Sequence, residues 1–198
     1  MVNNYKDFIK YISVFSVIIF IILYYYLCKG KLDIKKCFEA IGYTSTIMVA
    51  SSLIFNHWLW KKISLVQKYY HTPNIDGVWE GKGKSSFNDT EFDVKLLIKQ
   101  TFLETHIHGD FEKSQSDSFC SEFNYDNTHD RTYLIYSYKN EPKLEYRNRA
   151  EENEEGGLNI HYGTTRLEID FNDLKHLNGT YWNDRKCIGT FELIKRNK

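Results

Sequence analysis

The hydrophobic pattern changes character once along the chain. Up to about residue 70 the apolar positions come in two long unbroken runs, and from Trp79 onward they alternate with polar ones. Tyr11–Cys28 is 18 residues without a charge. As a helix it reaches about 27 Å, close to the roughly 30 Å hydrocarbon core of a bilayer. Tyr24, Tyr25 and Tyr26 close it and Lys29 and Lys31 follow, the order of an aromatic belt and a headgroup anchor. The apolar region of a cleaved signal peptide is shorter and ends in small residues, so this run reads as a span. Ala40–Trp60 is a second uncharged run, of 21 residues, closed by Trp58, Trp60, Lys61 and Lys62. About a dozen residues join the two, which predicts a helical hairpin with both chain ends on one side. Residues 58–72 are expected to carry the second helix onward until Pro73 stops it.

The second run is less apolar than the first, and in a pattern. Gly42, Thr46 and Ala50 recur every fourth residue, a small-residue face that lets another helix approach closely. That helix is either the first span or a span of a second copy, and both readings stand at this point.

Beyond Pro73 the period is two. Phe92, Val94, Leu96 and Ile98 alternate with Asp93, Lys95, Leu97 and Lys99. Similar segments begin at Val78, Leu103, Phe119, Thr132, Leu158, Leu177 and Ile188, which makes eight strands. Turn signals fall between them at Asn88-Asp89, Gly109-Asp110, Lys139–Pro142, Gly156-Gly157 and Asn183-Asp184. Short strands punctuated by turns, with no helical pattern between them, predict an all-β domain. Eight antiparallel strands close into a small barrel filled by side chains or holding one small ligand. The outward positions carry Lys, Glu and Asp, so the barrel itself is not a membrane-spanning one. The apolar phase shifts between Tyr162 and Leu167 across Gly163, which predicts a bulge or bend there. The expected organisation is therefore a transmembrane hairpin with a juxtamembrane helix over 1–72 and a β-barrel over 73–198.

Charge sharpens this division. The formal net charge is +0, yet residues 1–70 hold nine of the 26 Lys and Arg and only three of the 26 Asp and Glu. A basic front suits anionic lipid headgroups, and an acidic back argues against a partner that is a DNA or RNA polymer. Lysines are divided almost evenly between the two sides of the hairpin, so the positive-inside rule leaves its orientation open. Cys28, Cys37, Cys120 and Cys187 form no dense framework and read as free thiols. The run Glu151–Glu155 reads as a solvated loop tip.

Candidate chemistry is sparse. His106 and His108 share a strand face but have no third ligand at metal-site spacing, so no metal is expected, nor any cofactor. The familiar nucleophile and phosphate-loop signatures are absent, so no catalytic residues are assigned and the protein reads as a non-enzyme. Gly77, Trp79 and Gly81 share one face at the start of the barrel, which makes room for an indole in the lumen. Trp79 is then either a plug at the barrel floor or a platform on which a base stacks. The segment 177–196 mirrors it, with Gly179 and Tyr181 before a turn holding Arg185, then Gly189 and Phe191. If the first and last strands pair, Trp79, Tyr181 and Arg185 approach one another. Arg166 and Arg131 are the other candidates for holding phosphate.

Two spans, a short helix outside the membrane, the opening 73–81 and the terminal segment 177–196 together resemble the two-transmembrane, β-strand-rich effectors of bacterial CBASS antiphage defence. The resemblance covers the whole chain in architecture, and its residue-level content lies in those two glycine- and aromatic-rich segments. It implies a cytoplasmic barrel that binds a cyclic dinucleotide made on infection. It also implies self-association, contact with membrane lipids, and disruption of the inner membrane that kills the cell. Both termini would then be cytoplasmic. Lipocalins share a Gly-x-Trp opening, so a membrane-tethered carrier of a lipid or other apolar ligand in the bacterial envelope is the alternative.

Overall fold

The computed structural model describes residues 2–29, 33–87, 89–147 and 159–196. The loop tip at Glu151–Glu155, the Gly156-Gly157 turn, Leu158 and Asn88 lie outside these residues. The chain divides into two compact units, Met1–Lys62 and Ile63–Lys198.

In the first unit α1 (Val2–Cys28) and α2 (Ile34–Ile54) form a hairpin. Asp33 caps α2, its carboxylate accepting the backbone N–H of Lys35 at 2.9 Å, which satisfies a donor that the helix end leaves free. Ile9–Cys28 and Ile34–Lys62 are long and apolar enough to cross a membrane, with mean hydropathies of 2.2 and 1.3, and almost none of either window is buried. The half-buried positions of α1, Ile12, Ser16, Ile19, Phe20, Leu23, Tyr24 and Leu27, recur at helical spacing. From α2, Ala40 and Thr44 are the buried residues. Gly42, Thr46 and Ala50 are exposed, and a Cβ added at Gly42 would meet nothing within 4 Å. The expected close-approach face therefore stays open within this chain, because a neighbouring small pair two positions earlier takes the contact.

The second helix does not run on to Pro73 as expected. After α2 the backbone passes through a π-helical turn (Phe55–Leu59) and a 3₁₀ turn (Trp60–Lys62), then breaks at Ile63, whose φ of −104° and ψ of 91° are extended. The short α3 (Ser64–Tyr69) belongs to the second unit. It ends before Pro73, where His71 turns left-handed at φ 48°.

The second unit is a closed antiparallel barrel in sequence order, β1 to β8. Its strands are β1 (Gly77–Ser85), β2 (Glu91–Gln100), β3 (Thr105–Asp110), β4 (Ser114–Asp126), β5 (Arg131–Pro142), β6 (His161–Asp170), β7 (Asp173–Asn183) and β8 (Ile188–Lys195). A one-turn helix, α4 (Leu144–Arg147), follows β5. Pairing of β1 with β8, from Trp79↔Lys195 to Ser85↔Gly189, seals the cylinder and leaves no sheet edge. Three local expectations are corrected. Lys139–Pro142 is strand and not turn, because it pairs with the start of β4 as far as Ser114↔Pro142. Gly109-Asp110 ends β3 instead of forming the turn, since both still pair with β2 and β4. The sixth strand has no phase change at Gly163: His161, Gly163, Thr165, Leu167 and Ile169 stay on one face, while Ile160 and Tyr162 point outward. The irregularities fall at Ser118/Cys120 in β4 and at Glu168/Asp170 in β6.

The lumen is layered. At the end where β1 begins, Trp79 is fully buried with Ile75, Leu96 and Ile98. Its indole N–H donates to the Ile75 carbonyl at 2.9 Å, and the Lys195 ammonium lies 5.3 Å from the ring centre. Gln100 fastens the incoming chain to this floor, accepting the Ile75 N–H at 2.9 Å and donating to the Pro73 carbonyl at 3.0 Å. Gly77 lies at φ 134°, where a side chain is strained. The middle layer is aliphatic, with Leu134, Leu167, Leu177 and Leu193 buried. The other end is aromatic and opens to a cavity.

Candidate functional site

The inward row of β5 runs Thr132, Leu134, Tyr136, Tyr138, Asn140, so it passes from aliphatic through aromatic to polar toward the open end. The row of β6, running the opposite way, goes from aliphatic Ile169 and Leu167 through the small Thr165 and Gly163 to His161. Where these ends meet, the barrel holds a cavity of about 340 Å³, within the range of small-ligand sites. Phe92, Phe111, Tyr136, Tyr138, Tyr181 and Phe191 supply its rings, and Ser116, Asn140, Thr165 and Asn183 are among its polar groups.

The rings are locked by one another. Tyr181 stacks on Phe191 with centroids 5.0 Å apart, and Phe92 meets both edge-on at 6.3 and 6.1 Å. They have room because glycines face them: a Cβ at Gly83 would come within 2.5 Å of the Phe92 ring, and one at Gly189 would collide with the Tyr181 ring and the Lys84 carbonyl. Edge-to-face and offset-stacked rings of this kind hold each other in place.

Electrostatically the cup is neutral. Burial pushes the Tyr136 hydroxyl up to about 12, with the neighbouring Thr165 side chain acting the other way. Burial likewise raises Tyr138, with the neighbouring Tyr136 and Tyr181 adding to it, and raises Tyr181. All three phenols stay protonated and can donate. His161, at the mouth, is held below the ordinary histidine value by burial and by Arg185, against the Asn159 carbonyl and Asp184. Among the described residues Lys113 is the one lysine or arginine on the lining, and Glu91 and Glu112 share the mouth with it.

The five expected ligand residues are not brought together. Tyr181 lines the cavity. Arg185 stands at the same end in the β7–β8 turn. Its guanidinium donates to the Asn159 carbonyl, to which His161 Nδ1 also donates at 3.2 Å. Trp79 lies at the opposite end: the β8 partners of Trp79 and Tyr181 are Lys195 and Gly189, six residues and so about 20 Å apart along the strand. Arg166 points outward over Tyr133, 5.1 Å from its ring centre. Arg131 is at the floor end, paired with Glu168 at 2.9 Å. An arginine-lined mouth is therefore not what the described residues build. The reading from sequence missed Phe92, Tyr136, Tyr138, His161 and Thr165, whose common feature is the inward phase at one end of their strands. His106 and His108 face outward, His108 to Asp117 at 2.7 Å, and no cluster of three metal-type ligands occurs among the described residues.

A closed, up-and-down eight-stranded barrel with an aromatic cavity at one end is a receptor architecture for one small ligand. Residues 70–195 match the family described as Cap15, cyclic dinucleotide receptor domain, and the chain belongs to that family of CBASS effectors. No curated protein matches the chain.

Proposed function

We propose that this protein is a membrane effector of CBASS antiphage immunity whose barrel takes a cyclic dinucleotide into the aromatic cavity. Ligand binding drives protomers together through the membrane helices, and the assembly disrupts the inner membrane and kills the infected cell. The observation that carries this reading is the coincidence in one chain of a cyclic dinucleotide receptor domain, a cavity lined by stacked rings, and two helices able to span a bilayer. Rings at the cavity suit bases, which stack at about 1–3 kcal/mol each. Lys113 and Arg185 are the groups at this end suited to phosphate. Trp79, Arg166 and Arg131 have no part in this site.

Both termini are assigned to the cytoplasm, where the messenger is made, which places α1 and α2 as a two-pass hairpin in the inner membrane and the barrel, with α3, on the cytoplasmic side. The exposed face of Gly42, Thr46 and Ala50 is the assembly surface of the hairpin, and membrane lipids cover the rest. No catalytic step or cofactor enters this scheme. The test is the full chain in liposomes loaded with a self-quenched dye. Addition of the right cyclic dinucleotide releases the dye, and the same panel leaves liposomes without protein intact. If no cyclic dinucleotide releases dye although one binds, the effector half of the proposal is wrong and the receptor half stands.

A further inference from the structure

Thr165 is fully buried, lines the cavity, and its hydroxyl oxygen completes no hydrogen bond of ordinary geometry among the described residues. Its side chain is close enough to the Tyr136 hydroxyl to oppose the effect of burial on that phenol, without reaching the distance and angle of an ordinary hydrogen bond. It sits between two rings of the cup in register, opposite Tyr136 on one side and Tyr181 on the other. A buried hydroxyl without a partner is uncommon and costly. Here it is the one side-chain polar atom left so among the described residues.

From this we infer that the lumen reads one uncharged nucleobase of the ligand, with the Thr165 hydroxyl as the group that recognises its edge, while the phosphates stay at the mouth. The inference rests on the proposed cyclic dinucleotide ligand and divides that ligand between two chemical environments. A phosphodiester carried down to Thr165 would be a buried anion among neutral phenols, and an unpaired buried charge is far more costly than a buried neutral group. A base fits the same place: its faces meet rings, and its edge offers donors and acceptors. A threonine hydroxyl both donates and accepts, so it completes one bond to an edge atom that it lacks in the empty barrel. A site built to bond a polar edge atom rejects a ligand without it more strongly than a purely apolar pocket can, because the site's own group is then left unpaired.

The experiment uses the full chain in detergent micelles. Affinities are measured for cyclic di-AMP, cyclic di-GMP, cyclic di-UMP and the mixed forms, with free nucleosides and inorganic phosphate as competitors. Thr165→Val removes the hydroxyl at nearly constant shape. The expected result is an unchanged or higher melting temperature, affinity for the preferred cyclic dinucleotide lower by on the order of tenfold, and weaker discrimination between bases. Thr165→Ser is expected to keep both. The nucleoside of the preferred base competes, and inorganic phosphate does not. Equal affinity and equal base preference in Thr165→Val overturn the inference while leaving the receptor intact, as does competition by phosphate without competition by the nucleoside. Should Thr165→Val not fold, the wild-type chain is tested with ligands lacking one edge group of the preferred base, and affinity indifferent to every such deletion is the overturning result. If the wild-type chain binds no cyclic dinucleotide at all, the proposed function itself fails, and this inference fails with it.

Discussion

Tyr136 gives the barrel a pH signature that belongs to a single side chain and its surroundings. Its hydroxyl is pushed up to about 12 from the ordinary 10.0, with burial as the first cause. The folded state therefore holds this proton more tightly than the unfolded chain does. Below about pH 10 both states are protonated and the stabilisation is complete. As pH rises from 10 toward 12 the unfolded state ionises first, so stability falls. Tyr138, shifted the same way, adds to the loss. The expected outcome is a melting temperature that is flat through neutral pH and drops steeply above about pH 10. Tyr136→Phe and Tyr138→Phe should each make that drop shallower. Absorbance near the tyrosinate band, followed together with the melt, checks the mechanism: the two buried tyrosines ionise together with unfolding. Ionisation of Tyr136 and Tyr138 in a still-folded barrel would contradict the burial argument.

At the scale of elements, the first strand and the seventh do different work although both carry a glycine–aromatic motif. Trp79 fills the floor and Tyr181 the mouth, about 20 Å apart along β8. Trp79→Ala removes a fully buried indole together with its bond to Ile75, and a Trp→Ala change in a core costs about 3–5 kcal/mol. Ligand affinity, measured well below the lowered melting temperature, is expected to stay near the wild-type value. Tyr181→Ala should show the reverse emphasis, with a large loss of affinity because a ring of the cup is gone. Strong loss of binding in a folded Trp79→Ala protein would return that residue to the site. The two motifs were hard to tell apart in sequence because both strands flank β8 in the closed barrel, and only the register says at which end each ring lies. The alternation that gives eight strands, and the two apolar runs before them, were legible because burial on one face enforces a period and a bilayer enforces a length. The cavity was half legible: the inward row Leu134, Tyr136, Tyr138, Asn140 changes from aliphatic to polar within one strand, and the change points to an open end. The bulge at Ser118/Cys120, which leaves Phe119 outward and 66% exposed, has no such mark, since it follows from how the long β4 must fit a closed cylinder. The helix break at Ile63 was missed for a related reason, because apolar spacing continues across it while the backbone does not.

For the whole molecule the proposed function needs a link between ligand and assembly, and such a link exists only if the ligand binds more tightly to the assembled state than to the free protomer. The hairpin offers two small-residue surfaces on α2 with different standing. Ala40 and Thr44 are buried, whereas Gly42, Thr46 and Ala50 are exposed and open. Close approach of helices in a bilayer depends on small side chains, since lipid supplies no hydrophobic drive between them. A large residue placed on the open face should therefore block association without disturbing the fold of one chain. Gly42→Leu and Ala50→Leu are expected to leave the cyclic dinucleotide affinity of dilute protomers unchanged. They should remove the ligand-dependent rise in energy transfer between labelled chains in liposomes, and dye release with it. Ala40→Leu, on the packed surface, is expected instead to lower expression and stability, since overpacking a contact costs about 1–3 kcal/mol. The informative comparison is between the two surfaces at equal added volume. Association and leakage that survive Gly42→Leu and Ala50→Leu would move the assembly surface off this face of α2, and by reciprocity the ligand's preference for the assembled state would then have to be expressed elsewhere in the molecule.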